Sequence, residues 1–157
     1  MILCVLGSGG HTSELLTIIQ DIKSEFIFVA SSNDTLSIVK AKQKYPNCKI
    51  YTVIRPRLPA QPLIFAIPRI MASVIHTFII IMQIYFTNSI KVVIGNGPGI
   101  CVLIFFIFRI LCVQTVYVES FARVKSLSLT GKIVKKYCNH FIVQWQENEG
   151  IHMEWIV

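Results

Sequence analysis

The sequence predicts an α/β fold, a Rossmann-like three-layer arrangement with a parallel sheet between helices, as one domain over residues 1–157. Two observations predict it. Short β-branched, apolar runs alternate with segments of helical periodicity along the whole chain. Two of these runs, Ile2–Leu6 and Lys91–Ile94, end in glycine clusters that open a helix. Strands separated by helices demand right-handed crossovers and a parallel sheet. In such sheets ligands bind beyond the carboxyl ends of the strands.

The elements follow in order. A first strand over about 2–6 runs into Gly7-Ser8-Gly9-Gly10-His11-Thr12, and a helix over about 11–22 carries Leu15, Leu16, Ile18, Ile19 and Ile22. Phe26–Ala30 reads as a second strand. Ser31–Asp34 supplies turn and N-cap residues for a basic helix that reaches about Lys44, where Pro46 and Asn47 break it. Lys49–Ile54 is a third strand, followed by the basic, proline-rich loop Arg55–Pro62. A long apolar stretch, Leu63–Phe86, leads to the fourth strand and its turn, Gly95-Asn96-Gly97-Pro98-Gly99. A short apolar helix over about 100–112, a strand at Gln114–Val118, a helix at Lys125–Tyr137 and a strand at His140–Val143 complete the alternation. Trp155–Val157 is a candidate seventh strand.

Composition narrows the function classes. Hydrophobic residues make up 54% of the chain and charged residues only 15%, with a net charge of +7 and a mean hydropathy of +0.62. An apolar, basic chain suits an anionic membrane surface or phosphorylated ligands. No basic run or basic helix points to nucleic acid. The five cysteines are odd in number and form no CxxC pair. Cys4, Cys101 and Cys112 are expected to be small core hydrophobes in a reducing compartment, not disulfide or zinc ligands. No signal peptide is expected ahead of the first strand.

Leu63–Phe86 is long enough to cross a bilayer. It also joins two strands of one sheet, which a spanning helix would leave on opposite sides of the membrane. The expectation is a crossover helix with an extra apolar face that lies on the membrane interface, and Ile100–Val113 has the same option.

The first glycine turn is a ready anion site. The following helix presents free N–H groups and the positive end of its dipole, and glycine lets a diphosphate approach without a Cβ in the way. It is neither of the familiar nucleotide motifs. The third glycine of the dinucleotide fingerprint is replaced by Thr12, and no P-loop lysine is present. Gly95–Gly99 is a second such turn on the same edge. Arg55 and Arg57, after the third strand, carry guanidinium forks that fit phosphate oxygens. Glu119, just past the fifth strand, is placed to accept from a sugar or to orient His11, or else to cap a helix or pair with Arg123.

Four blocks carry a resemblance that spans nearly the whole chain: Leu6–Thr12, Gly95–Gly99, Tyr117–Lys132 and Phe141–Trp145. In order and content they resemble the Alg-fourteen family, the membrane-anchoring subunit of the two-part UDP-N-acetylglucosamine transferase of dolichol-linked oligosaccharide synthesis. The resemblance implies the N-terminal, acceptor-side half of a B-fold glycosyltransferase. It implies a partner subunit that binds UDP-N-acetylglucosamine and is catalytic. It implies an acceptor, N-acetylglucosamine-diphosphate-dolichol, and a place on the cytosolic face of the endoplasmic reticulum membrane or the nuclear envelope. No nucleic acid, cofactor or metal is expected, and the chain is not expected to be active alone. Reading and resemblance together make His11 and Glu119 the candidate catalytic residues. They make Gly7, Ser8, Gly9, Gly10, Thr12, Arg55, Arg57, Asn96, Gly97, Ser120 and Arg123 the candidate ligands of the lipid diphosphate.

Two departures from the family stand out. The N-terminal membrane helix of many members has no counterpart in this sequence, so anchoring is expected to rest on Leu63–Phe86, Ile100–Val113 or the partner. Gln146-Glu147-Asn148-Glu149 is acidic where the family is basic, next to the C-terminal contact with the catalytic subunit. Two other function classes remain alongside. A nucleotide-binding oxidoreductase would use Asp34 to hold a ribose. A membrane-peripheral scaffold would bind no ligand at all.

Overall fold

The computed structural model describes residues 1–56, 63–145 and 151–152. Its strands are β1 (Ile2–Val5), β2 (Phe26–Ser31), β3 (Lys49–Val53), β4 (Val92–Asn96), β5 (Gln114–Val118), β6 (His140–Val143) and β7 (Ile151–His152). Between them lie α1 (Gly10–Ile18), α2 (Thr35–Lys44), α3 (Leu63–Thr87), α4 (Ile100–Ile110) and α5 (Leu129–Val134). The seven strands form one sheet in the order β3-β2-β1-β4-β5-β6-β7. All six neighbouring pairs are parallel. The α/β parallel architecture expected from the alternation is present.

Strand β1 is central, so both of its faces are covered and its residues are apolar throughout. Leu3 and Val5 face a core closed by α3, α4 and α5, through Ile81, Ile84, Ile104, Phe105, Phe108 and Val134. Cys4 and Leu6 face the opposite core, closed by Leu15, Leu16, Ile19 and Ala41 of α1, α2 and their flanks. Strand order reverses between β1 and β4, where Val5 pairs with Gly95. That is the switch point at which parallel sheets open a crevice.

Several boundaries differ from expectation. The first helix ends at Ile18, not near 22, after Thr17-Ile18-Ile19, a β-branched run of weak helix propensity. Strand β4 continues through Gly95 and Asn96, so its turn begins only at Gly97. Cys101 and Phe105 press on Gly95 so closely that an added Cβ would sit 2.6 Å from Cys101 Sγ. The last helix starts at Leu129, not Lys125, because Ser128 caps it by accepting from Gly131 N at 2.9 Å. The seventh strand is Ile151–His152, while Trp155–Val157 lies outside the described residues. Cys4 and Cys101 are fully buried and held neutral by desolvation, as core hydrophobes are. Cys112, expected in the core, is exposed just past α4, with φ at 57°.

Helix α3 has two faces. Ser73, Thr77, Ile81 and Ile84 recur at helical spacing and are buried against the sheet. Ile67, Met71, Ile75, Phe78 and Ile79 point away from it and are more than half exposed. The span Ile67–Thr87 is long and apolar enough to cross a membrane. Two bonds hold its start to the end of β3, however. Ser73 Oγ donates to Ile54 O at 2.6 Å, and Arg69 Nε donates to Arg55 O at 3.1 Å. Phe106 and Ile110 of the adjacent α4 extend the exposed apolar surface.

Candidate functional site

The site begins at Gly9, which takes φ of 72° so that β1 can turn directly into α1. His11 is the second residue of that helix. Its Nδ1 lies 2.8 Å from Asn96 Oδ1 at the end of β4. With the amide oxygen against it, Nδ1 is the donor of this bond, which leaves Nε2 as the outward-facing ring nitrogen. Asn96 is completely buried, and its Nδ2 has no partner among the described residues. Gly97 follows at φ of 78°, and the imidazole lies where its Cβ would be. The two glycine turns expected on one edge therefore meet, with His11 as the contact between them. Asn96, a candidate ligand of the diphosphate, is bonded to this histidine.

Two hollows flank the imidazole. On the β5 side, a cleft of about 750 Å³ is lined by His11, Glu14, Gly97, Phe121 and Arg123, with Ser8 and Gly10 at its rim. On the β3 side, a hollow of about 330 Å³ is lined by Ser8, His11, Ser31, Asp34, Arg55 and Pro98. Ser31 Oγ is buried there without a partner among the described residues. Arg57 lies outside the described residues. A third hollow, of about 540 Å³ between Phe26, Tyr45 and Lys49, sits at the amino ends of the strands, away from His11.

Thr12, expected among the ligands, is buried and serves the turn. Its hydroxyl contacts Gly7 O at 2.5 Å and Ser37 Oγ at 2.8 Å. Ser37 Oγ in turn lies 2.7 Å from Asp34 Oδ2, and Asp34 Oδ1 caps α2 by accepting from Ser37 N at 3.2 Å. Asp34, the ribose ligand of the oxidoreductase reading, is thus occupied by its own helix. Gly7 approaches its neighbours so closely that a Cβ would lie 3.0 Å from both His11 and Pro98.

Glu119 is 1% exposed and does not orient His11. Its carboxylate accepts from Ser120 N at 3.0 Å, Ser128 N at 2.9 Å and Ser128 Oγ at 3.0 Å. It closes the 120–128 loop on itself, and burial makes those donors structural. The carboxylate at the cleft is Glu14, which sequence reasoning passed over. Glu14 Oε1 accepts from Phe121 N at 2.6 Å and from Gln144 Nε2, and Oε2 accepts from Ser120 Oγ at 3.2 Å. One signal was available: Glu14 follows His11 by three residues, so the two share a helix face. No group of three His, Cys, Asp or Glu side chains able to hold a metal occurs among the described residues.

Comparison with known proteins matches residues 2–155 to the family described as "Oligosaccharide biosynthesis protein Alg14 like". The "UDP-N-acetylglucosamine transferase subunit alg14" of Schizosaccharomyces pombe is 36% identical over 160 residues, covering 93% of this chain and 76% of that one. The mouse subunit ALG14 of the same description is 30% identical over 166 residues, covering 92% and 75%. Among solved structures, Acinetobacter baumannii MurG superposes with a TM-score of 0.66 at 14% identity, covering 90% of this chain and 40% of its own. A UGT transferase from Siraitia grosvenorii, in complex with UDP, gives 0.50 at 12% identity, covering 74% and 27%. At these identities the structures speak to fold alone, and the fold is that of a B-type glycosyltransferase half.

Proposed function

Since the chain belongs to the Alg14 family, we propose that it is the acceptor-side subunit of a two-part UDP-N-acetylglucosamine transferase. It holds the lipid diphosphate acceptor while a partner subunit brings the sugar nucleotide. The observation that carries this reading is His11, fixed by Asn96 across two glycine turns at the carboxyl edge of the sheet. A diphosphate docks on the N-terminus of α1 and on Arg55. The Nε2 lone pair accepts the proton of the acceptor hydroxyl as that oxygen bonds to the anomeric carbon of the donor sugar, whose bond to the diphosphate breaks and releases UDP. Glu119 and Asn96 support this geometry without touching substrate. The partner is required because a nucleotide sugar is bound between two sheets, and only one sheet occurs among the described residues. The exposed faces of α3 and α4, on a chain of net charge +7, lay the subunit on the cytosolic face of the endoplasmic reticulum membrane and recruit the partner there.

The test is transfer from UDP-N-acetylglucosamine to a short-chain N-acetylglucosamine-diphosphate lipid, with this chain alone, the partner alone and the reconstituted pair. Activity is expected only in the pair, and His11→Ala is expected to lower kcat by roughly 10²–10⁴-fold. Turnover by this chain alone, or full activity of the histidine variant, would overturn the proposal.

A further inference from the structure

Phe121 is 51% exposed at the mouth of the His11–Glu14 cleft, yet it is held on three sides. Its N–H donates to Glu14 Oε1 at 2.6 Å, and its carbonyl accepts from Trp145 Nε1 at 2.7 Å. Its ring centroid lies 4.8 Å from that of Trp145, tilted by 45°. Glu14 is braced by Ser120 Oγ and by Gln144 Nε2, and Gln144 Nε2 also donates to Glu119 O at 2.8 Å. Side chains from α1, the β5 loop and the end of β6 therefore converge to immobilise one exposed aromatic ring. An apolar ring that served only solubility or packing would need no such frame. Rigid aromatic faces with few rotatable bonds are how proteins hold flat ligands at low entropic cost.

We infer that Phe121, backed by Trp145, is the platform on which the pyranose ring of the acceptor stacks. This rests on the proposed function and assigns the two hollows their contents. The axial C–H bonds of a gluco-configured hexose are polarised by its oxygens, and they dock on the negative face of an aromatic ring. On the other side of His11, the hollow with Arg55 has no aromatic ring in its described lining. It adjoins the start of α4, whose outer surface is apolar further along. The diphosphate and its lipid tail lie on that side. The sugar crosses His11 and reaches Phe121.

The experiment uses the reconstituted complex and a phytanyl-diphosphate-N-acetylglucosamine acceptor. Phe121→Ala and Phe121→Leu, which keeps apolar bulk without a ring, are expected to raise the acceptor KM roughly tenfold with kcat little changed, because stacking serves ground and transition states alike. Phe121→Tyr and Phe121→Trp are expected to stay within about threefold of the parent by retaining the ring. Co-purification with the partner stays intact. A second readout needs no turnover. The chain has two tryptophans, so Trp155→Phe leaves Trp145 as the sole emitter. N-acetylglucosamine 1-phosphate is expected to shift its fluorescence in the parent and not in Phe121→Leu. An unchanged KM in the leucine variant, or loss of the partner instead, overturns the platform. A silent Phe121 variant beside an inactive His11→Ala sinks the platform alone, whereas an active His11→Ala sinks the reading of the whole site.

Discussion

Gly97→Ala tests the geometry that everything around His11 depends on. Gly97 sits at φ of 78°, and the imidazole occupies the position its Cβ would take. Alanine in that left-handed conformation costs about 1–2 kcal/mol. Moving the ring aside also gives up its hydrogen bond to Asn96, a further loss of about 1 kcal/mol, with the buried Asn96 Oδ1 left bare. A total of about 2–3 kcal/mol corresponds to a melting-temperature drop of roughly 4–12 °C for a chain of this size. Stability is only half of the test. A displaced imidazole no longer presents Nε2 over the cleft, so transfer by the reconstituted complex is expected to fall roughly 10²-fold or more at temperatures where the variant is folded. Gly99→Ala is the control. Gly99 has φ of −60°, and nothing lies within 4 Å of a Cβ there, so its stability is expected to match the parent or exceed it slightly. Calorimetry with an acceptor-transfer assay separates the two effects. A Gly97→Ala protein that melts and transfers like the parent refutes the argument that this close approach seats His11.

Thr12→Val removes the hydroxyl that bridges Gly7 O and Ser37 Oγ, and urea unfolding is expected to show a loss of roughly 1–3 kcal/mol. Glu119→Ala strands the donors of Ser120 and Ser128 and is expected to cost roughly 2–4 kcal/mol in the same assay, with a smaller loss for Glu119→Gln. Ile75→Glu with Phe78→Glu alters two half-exposed positions of α3, so sedimentation with anionic vesicles is expected to drop while the melting temperature holds within a few degrees. Burial raises the thiols of Cys4 and Cys101 far above the ordinary value of 9.0, and Cys138 to about 11. In the unfolded chain these thiols ionise from about pH 8.5–9, while the folded chain keeps them protonated. The unfolded state then binds fewer protons, so stability is expected to be flat below that pH and to fall as pH rises above it. Equilibrium unfolding at pH 7.5 and pH 10 checks the sign.

The sheet was legible because its signals are local. An apolar run meeting Gly7-Ser8-Gly9-Gly10 marks a strand, a turn and a helix within a dozen residues. The edge on which the candidate residues gather followed from strand alternation alone. The partners of the carboxylates were not legible. Glu14 reaches Ser120 and Gln144 across 106 and 130 residues of chain, and no local pattern reports such a bond. Glu119 looked like a site residue because it ends a strand. The same position lets it fold back on Ser120 and Ser128, whose N–H groups would otherwise be bare. The contacts of Thr12 were hidden for a related reason: at the opening of a helix a hydroxyl can serve a ligand or the turn, and the proximity of Ser37 is a matter of tertiary structure.

The exposed apolar faces and the candidate anion site are coupled by topology. Every crossover helix of a parallel sheet starts at the carboxyl edge, so α4 begins directly after the second glycine turn and α3 begins on the same edge, after β3. Were α3 to cross a bilayer, Ser73 and Arg69 would have to release Ile54 and Arg55. Ile81 and Ile84 would then leave the core next to β3 and β2. Packed as it is, the helix keeps those contacts and still turns Met71, Ile75, Phe78 and Ile79 outward. A lipid surface meeting that face would lie alongside the sheet. On the proposed reading, a headgroup leaving such a surface would need no transmembrane path to reach His11, because Arg69 of α3 already holds the backbone of Arg55.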